Sequence, residues 1–299
     1  MQNPNIDIGP YGIWTAQLDM QPSGLARDCA AEIEELGFGA LWVPETVLRE
    51  PFLHSAFLLE ATSTLKVATG IVNRYGRDAV TCNAAMQTLN EAYPGRFLLG
   101  LGVSHDHLVS KLRKHDYSRP YSGMVQYLDQ MAEAKFFAPK GEPPAQMVLA
   151  ALGPKMLRLA ADRTAGAHPY FVPPEHTALA RDTMGPEPLL AVEQMVVLDT
   201  DPERARTTAR LHMSMYVRAP NYANNLRRLG FSDDDLADGG SDRLVDAIVA
   251  WGTLDDALTR VQAHRDAGAD HVCVQVLDAD AMHLPRTEWR ELAAALGLV

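Results

Sequence analysis

Apolar and polar positions alternate along this chain in two rhythms. Short apolar runs bounded by Gly, Pro, Asn or Asp suit strands buried on both faces, and apolar residues recurring three and four apart mark one face of a helix. Ile6 to Ala16, with Ile8, Tyr11, Ile13 and Trp14, predicts a first strand. Leu25, Cys29, Ile33 and Leu36 trace the helix after it, which Gly37 and Gly39 end. Ala40-Leu41-Trp42-Val43 is a second strand and Leu65 to Asn73 a third, with helices over 54–64 and 78–92. The fourth strand lies within the stretch Pro94 to His105, opened by the turn Pro94-Gly95 and closed by Ser104-His105-Asp106-His107. From the second strand to the fourth, the repeat is about thirty residues, the length of a βαβ unit.

The same grammar continues. Ser122 to Phe137 predicts a helix and Gln146 to Leu152 a fifth strand, followed at once by Gly153-Pro154-Lys155 and a helix to Gly166. His168 to Val172 is a short sixth strand, a helix covers 175–184, and Leu189 to Leu198 is a seventh strand. The spacing then breaks. Residues 202–251 read as largely helical, with a charged, Gly-rich patch from Ser232 to Asp242. Leu254, Leu258 and Val261 mark the helix before an eighth strand, Asp270 to Leu277, and a last helix runs from Arg286 to Leu296. Eight strands with intervening helices predict one α/β domain over 1–299, a (β/α)8 TIM barrel with a helical insertion after strand 7. A two-domain doubly wound fold split near residue 200 is the competing arrangement, but no linker-like composition supports the split.

Composition narrows the function classes. The chain has 299 residues, 47% apolar and 22% charged, as in an ordinary globular protein. A net charge of -11 and a pI near 5.3 argue against binding to nucleic acid or to an anionic membrane surface. Cys29, Cys82 and Cys273 are widely spaced, without CxxC, and read as reduced packing cysteines of a cytoplasmic protein. Met1 to Gly9 shows no signal-peptide pattern, and no apolar run is long enough for a membrane span.

Active sites of α/β barrels lie at the C-terminal ends of the strands, so the residues there are the candidates. Gly153-Pro154-Lys155-Met156 leaves a buried strand and opens a helix. Its free N–H groups, the helix dipole and Lys155 favour a phosphate, although an ordinary turn has the same sequence and many barrels seat phosphate after strands 7 and 8. Ser104-His105-Asp106-His107 carries too few donors for a metal site, with no second cluster at ligand spacing, so no metal is expected. Glu45 follows the second strand, where it serves either as a proton donor or as a salt bridge closing the rim. Trp14, at the exit of the first strand, is core or the wall of a substrate pocket. Gly100-x-Gly102 lacks the third glycine of a dinucleotide fingerprint, and Ser104 has no GxSxG context.

Five stretches, in this order and spacing, resemble the bacterial luciferase-like monooxygenase superfamily, and within it the branch that uses the deazaflavin coenzyme F420. They are Gly37-Phe38-Gly39-Ala40-Leu41-Trp42-Val43-Pro44-Glu45, Ala68 to Asn73, Gly95 to His105, Gly153-Pro154-Lys155-Met156, and Ala165 to Phe171. The resemblance implies a flavin or deazaflavin at the strand ends. It also implies a bulge with a non-proline cis peptide at Gly70 behind the ring, with Ile71 beside it and Asn73 presenting its amide to the ring edge or the ribityl chain. Gly102, Val103, Ser104, His105 and Tyr170 would line the ring pocket, and Leu152 to Met156 would hold the phosphate-bearing tail. The expected function is an F420-dependent oxidoreductase moving a hydride to or from a small organic substrate, with His105 and Glu45 as catalytic proton donors. The alternatives are an FMN-dependent monooxygenase and a cofactor-binding barrel without turnover. A homodimer is expected too, through Met213, Met215, Tyr216 and Val217 as an exposed apolar set; the competing role for that segment is a lid over the site.

Overall fold

A computed structural model describes residues 6–299; residues 1–5, which carry part of the Met1–Gly9 expectation, lie outside the described residues. Eight parallel strands close on themselves: β1 (Tyr11–Trp14), β2 (Ala40–Val43), β3 (Lys66–Thr69), β4 (Phe97–Gly102), β5 (Gln146–Leu149), β6 (Gly166–Ala167), β7 (Leu189–Val197) and β8 (His271–Val276). Closure is through β8, which pairs with β1 on one side and β7 on the other. This is the TIM barrel that the periodicity predicts. Helices α1 (Ser23–Glu35), α2 (Pro51–Glu60), α3 (Ala79–Ala92), α4 (Pro120–Glu133), α5 (Pro154–Arg163) and α6 (Pro174–Met184) follow the first six strands in turn. After β7 come α7 (Pro202–Val217), α8 (Pro220–Arg228), α9 (Asp233–Leu236) and α10 (Asp242–Ile248), then α11 (Leu254–Asp266), β8 and α12 (Arg286–Ala295).

Capping explains where several helices begin. Asp78 accepts from the Thr81 N–H, Asp201 from the Glu203 and Arg204 N–H groups, and Thr253 with Asp256 forms a capping box. Pro starts the second and fourth helices three and two residues earlier than the apolar rhythm places them, at Pro51 and Pro120, because Pro at the first turn loses no hydrogen bond.

Two strands differ from expectation. The third is interrupted: β3 stops at Thr69, the Gly70–Ile71 peptide is cis, and pairing with β4 resumes at Val72 against Leu101. Across the gap the Thr69 hydroxyl donates to the Gly100 carbonyl and accepts from its N–H, both at 2.9 Å. The sixth strand pairs only over Gly166–Ala167, ahead of the expected 168–172. Pro169 and Pro173 remove ladder donors there, and Phe171 takes a left-handed φ of 60°, so the stretch runs as a loop over the barrel mouth.

The core has two parts. One lies between the barrel wall and the surrounding helices and includes Ile33, Leu58, Phe97, Leu149 and Trp289. The other fills the barrel and continues into the excursion, joining Trp14, Trp42, Leu98, Val148 and Met195 to Ala205, Ala209, Met213 and Val217 of α7. Those four α7 residues recur every four positions, so they form one face, and it is packed on the barrel mouth. The expected exposed set at 213–217 is therefore corrected: Met213 and Val217 are buried, Tyr216 is half-buried, and Met215 alone is exposed. The excursion is a lid. No helix among the described residues is long and apolar enough to cross a membrane.

Candidate active site

The strand ends converge on an aromatic mouth. Trp14 from β1 lies 5.1 Å, centroid to centroid, from Tyr170 in the loop after β6. The lid contributes Tyr216 from α7 and Tyr222 from α8, which pack edge-on at 5.3 Å and each contact Phe171. A polar chain crosses the mouth: the Tyr216 and Tyr170 hydroxyls stand 3.0 Å apart, and Tyr170 donates to the Gln275 side-chain carbonyl at 2.9 Å. Planar apolar walls with a few fixed polar groups suit a flat ring system.

Gly70 sits at the edge of this mouth. A Cβ there would stand 2.4 Å from Trp14 Nε1 and 3.1 Å from His168 Nε2. Both nitrogens are buried and lack a hydrogen-bond partner among the described residues. His168 Nδ1 lies 2.9 Å from the Ala191 carbonyl and so carries the proton. Burial, first, and nearby His271 lower the His168 pKa to about 4, so Nε2 remains an acceptor. A donor and an acceptor stand ready beside the cis peptide. Ile71 fills the space that a side chain at Gly102 would occupy, and the Thr69 carbonyl fills that at Gly100, which explains both glycines of the fourth strand.

His105 follows β4 and meets the lid. Its Nδ1 is 3.3 Å from Asn221 Oδ1, and its ring lies 5.4 Å from Tyr222 and 6.0 Å from His107. Burial lowers its pKa below the usual value, so the neutral ring keeps its proton on Nδ1 and a lone pair on Nε2. In this tautomer Nε2 accepts a hydrogen bond. Val103 lines the exit half-buried, and Ser104, at φ 57°, accepts the Tyr117 hydroxyl at 2.8 Å. Among the described residues no group of three or more His, Cys, Asp or Glu is placed to hold a metal ion.

Glu45 is the salt bridge of its two expected roles. Its side chain is 4% exposed and accepts from Arg77 at 2.9 and 3.3 Å, Arg113 at 2.9 Å and the Asn73 N–H at 2.6 Å. Two guanidinium groups hold the carboxylate at the rim. Asn73 is drawn into the same knot. Its Oδ1 accepts the Tyr75 N–H at 2.9 Å, closing the loop after the bulge.

The start of α5 is a second pole. Gly153 caps the helix without a side-chain cap, Lys155 is exposed on the first turn, and Met156 packs against the core. The Leu152 carbonyl lies 2.8 Å from His176 Nε2. The Arg228 guanidinium stands 3.3 Å from where a Gly153 Cβ would be, adding a cation that the sequence reading missed. A cleft of about 490 Å³ opens after β7 and β8, where other barrels seat phosphate. Its lining includes Asp199, Glu203, Asp278 and Glu288, while Arg204 is held by Asp199 and Asp201. A phosphate would be repelled there and attracted at Gly153.

The structure thus gathers Gly70, Ile71, Gly102, His105 and Tyr170 at the mouth and Leu152 to Met156 at the α5 pole, with Asn73 paired beside Gly102 and Glu45 tied to Arg77 and Arg113. The helix α8 links the two poles: Tyr222 faces the mouth and Arg228 the start of α5, six residues or roughly 9 Å along the axis.

A profile of the luciferase-like monooxygenase family matches residues 10–271. A 5,10-methylenetetrahydromethanopterin reductase of Archaeoglobus fulgidus is 24% identical over 285 residues, covering 80% of this chain and 85% of the relative. Among solved structures, an F420-dependent secondary alcohol dehydrogenase in complex with an F420–acetone adduct superposes with a TM-score of 0.76 at 15% identity, covering 96% of this chain and 99% of that one. The coenzyme F420 dependent tetrahydromethanopterin reductase of Methanopyrus kandleri gives 0.74 at 15% identity, covering 95% and 97%.

Proposed function

We propose that this chain, which belongs to the luciferase-like monooxygenase family, is an F420-dependent oxidoreductase that moves a hydride to or from a small organic substrate at the barrel mouth. The observation that carries this reading is the pair of poles joined by α8: an aromatic mouth beside Gly70–Ile71 that Tyr222 faces, and a cationic helix start at Gly153 that Arg228 faces. The residues fit a flat ring with an anionic tail. Trp14 Nε1–H and His168 Nε2 offer the ring one donor and one acceptor, and Gly153, Lys155 and Arg228 offer the tail amides and positive charge. F420, when bound, supplies the hydride chemistry. The chain orients the reactants, and the lid residues Tyr216 and Tyr222 exclude water. His105 Nε2 accepts a hydrogen bond from the substrate. Relatives and structural neighbours whose names include F420-dependent enzymes support this cofactor over FMN.

Equilibrium binding of F420 and FMN to the purified protein tests the reading. F420 is expected to be retained more tightly, and retention of FMN alone would turn the assignment to a monooxygenase. In the same assay Lys155→Glu is expected to weaken F420 roughly ten- to a hundredfold without unfolding the protein, and less at high salt. A loss that salt leaves unchanged would move the tail elsewhere. A homodimer also belongs to this reading, now through exposed Val47 and Leu48 after β2 and Leu53 and Phe57 on α2 rather than through the lid. Light scattering at micromolar concentration should return twice the chain mass; a monomer refutes it.

A further inference from the structure

The eight barrel strands contain one carboxylate, Glu193, in the middle of the otherwise uncharged run Leu189-Leu190-Ala191-Val192-Glu193-Gln194-Met195-Val196-Val197. Its register partner on β8 is Cys273, which belongs to the barrel-filling cluster, and the alternation of β7 puts Glu193 on the inner face with Ala191 and Met195. The residue is 1% exposed. Oε2 accepts the Phe171 N–H at 3.2 Å, and Oε1 has no partner among the described residues. The loop after β6 takes its left-handed turn at Phe171, the residue whose N–H meets this acid.

A buried carboxyl normally arrives with a cation or with several donors. This one has neither. The titratable groups facing it are Tyr170 after β6, Tyr216 on α7, Tyr222 on α8 and Cys273 on β8. Burial raises the pKa of each, so all four are uncharged at neutral pH, and no cation stabilises an anion at Glu193. Burial likewise lifts the Glu193 carboxyl to about 8, against a small opposing effect of the Phe171 N–H, so the acid keeps its proton at neutral pH. Of the two residues expected to donate, Glu45 is ion-paired to Arg77 and Arg113, and His105 directs Nδ1 at Asn221.

We propose that Glu193 is the proton source of this site, delivering through its unpartnered carboxyl oxygen the proton that accompanies the hydride when substrate is reduced. The inference rests on the oxidoreductase reading above. It commits the substrate to a polar double bond such as a carbonyl or imine. Hydride arriving at carbon makes a new C–H bond and sends the two π electrons to the heteroatom. That atom takes the proton as the Glu193 O–H bond breaks, and the carboxylate is reprotonated from water.

The full chain and its Glu193→Gln variant test this; Gln keeps an acceptor for the Phe171 N–H without an acidic proton. Dialysis first establishes whether F420 or FMN is held, and retention of neither overturns both the function and this inference. Infrared spectra recorded across the alkaline range should show the carbonyl stretch of a protonated carboxylic acid, lost with a midpoint near 8 and missing from the variant. Adding the cofactor should move that midpoint by about one unit or more, since a ring at the mouth changes the surroundings of the acid. With reduced cofactor and a panel of simple aldehydes, ketones and imines, the variant should lose at least about tenfold in kcat. Its cofactor affinity should stay near wild type, and the alkaline fall in rate should disappear. A midpoint that bound cofactor leaves unmoved overturns the assignment while the function stands. So does a variant with wild-type kcat and an intact alkaline fall.

Discussion

Glu45→Ala is expected to destabilise the protein by about 3–5 kcal/mol, the usual cost of removing one partner from a buried ion pair. The carboxylate is 4% exposed, and its two cationic partners are themselves largely covered, Arg77 at 12% and Arg113 at 29%. Truncation strands both guanidinium groups and orphans the Asn73 N–H. Arg77 retains Glu50, which is 42% exposed and therefore a weak substitute. The midpoint of urea unfolding should fall with its slope unchanged. Glu45→Gln separates this from a role in proton transfer. It keeps an acceptor for Asn73 but loses the charge, so it should also destabilise. Abolished turnover with an unchanged midpoint would restore Glu45 as a donor.

Gly100→Ala is expected to cost about 3 kcal/mol or more, beyond what overpacking usually costs, because the obstacle is backbone. The new Cβ would stand 1.8 Å from the Thr69 carbonyl oxygen, a group fixed by the pairing of β3 and by the Thr69 hydroxyl bridge to Gly100. Relief requires moving the interruption that places Ile71 at the mouth, so cofactor retention should fall with stability. Gly24→Ala in α1 is the control. Nothing lies within 4 Å of its Cβ, and alanine should be neutral or slightly stabilising there. Equal melting temperatures for Gly100→Ala and the control would show that the bulge tolerates displacement.

The barrel was legible because most strands carry their own signal: an apolar run, a turn before it, and glycines where another segment passes close; the two-residue sixth strand carries none and was placed too late. Gly100 and Gly102 mark such a passage before its causes, Thr69 and Ile71, are known. The α5 pole was readable for the same reason, since Gly153, Pro154 and Lys155 are adjacent. Long-range partners were not. Glu45 meets Arg77 and Arg113 from 32 and 68 positions away, and nothing local distinguishes a paired carboxylate from a free one. Tyr216 and Tyr222 look like the surface of a helical insertion until α7 is laid on the barrel. Glu193 did leave a trace, as the one ionisable residue inside a nine-residue buried strand. Periodicity counted that strand as core and passed over the exception.

Because α8 is a single short helix with Arg228 at its end and Tyr222 near its start, it acts on a two-headed ligand as a lever. Engagement of the tail at one end fixes where the other end rests over the ring. The two halves of the ligand are then not independent guests. Each raises the effective concentration of the other, and the free energy gained at the tail is available to close the aromatic mouth. A ring offered without its tail must meet the whole cost of ordering the lid. Selectivity among flat heterocycles would then be exercised away from the atoms that react, by whatever anion the ring brings with it.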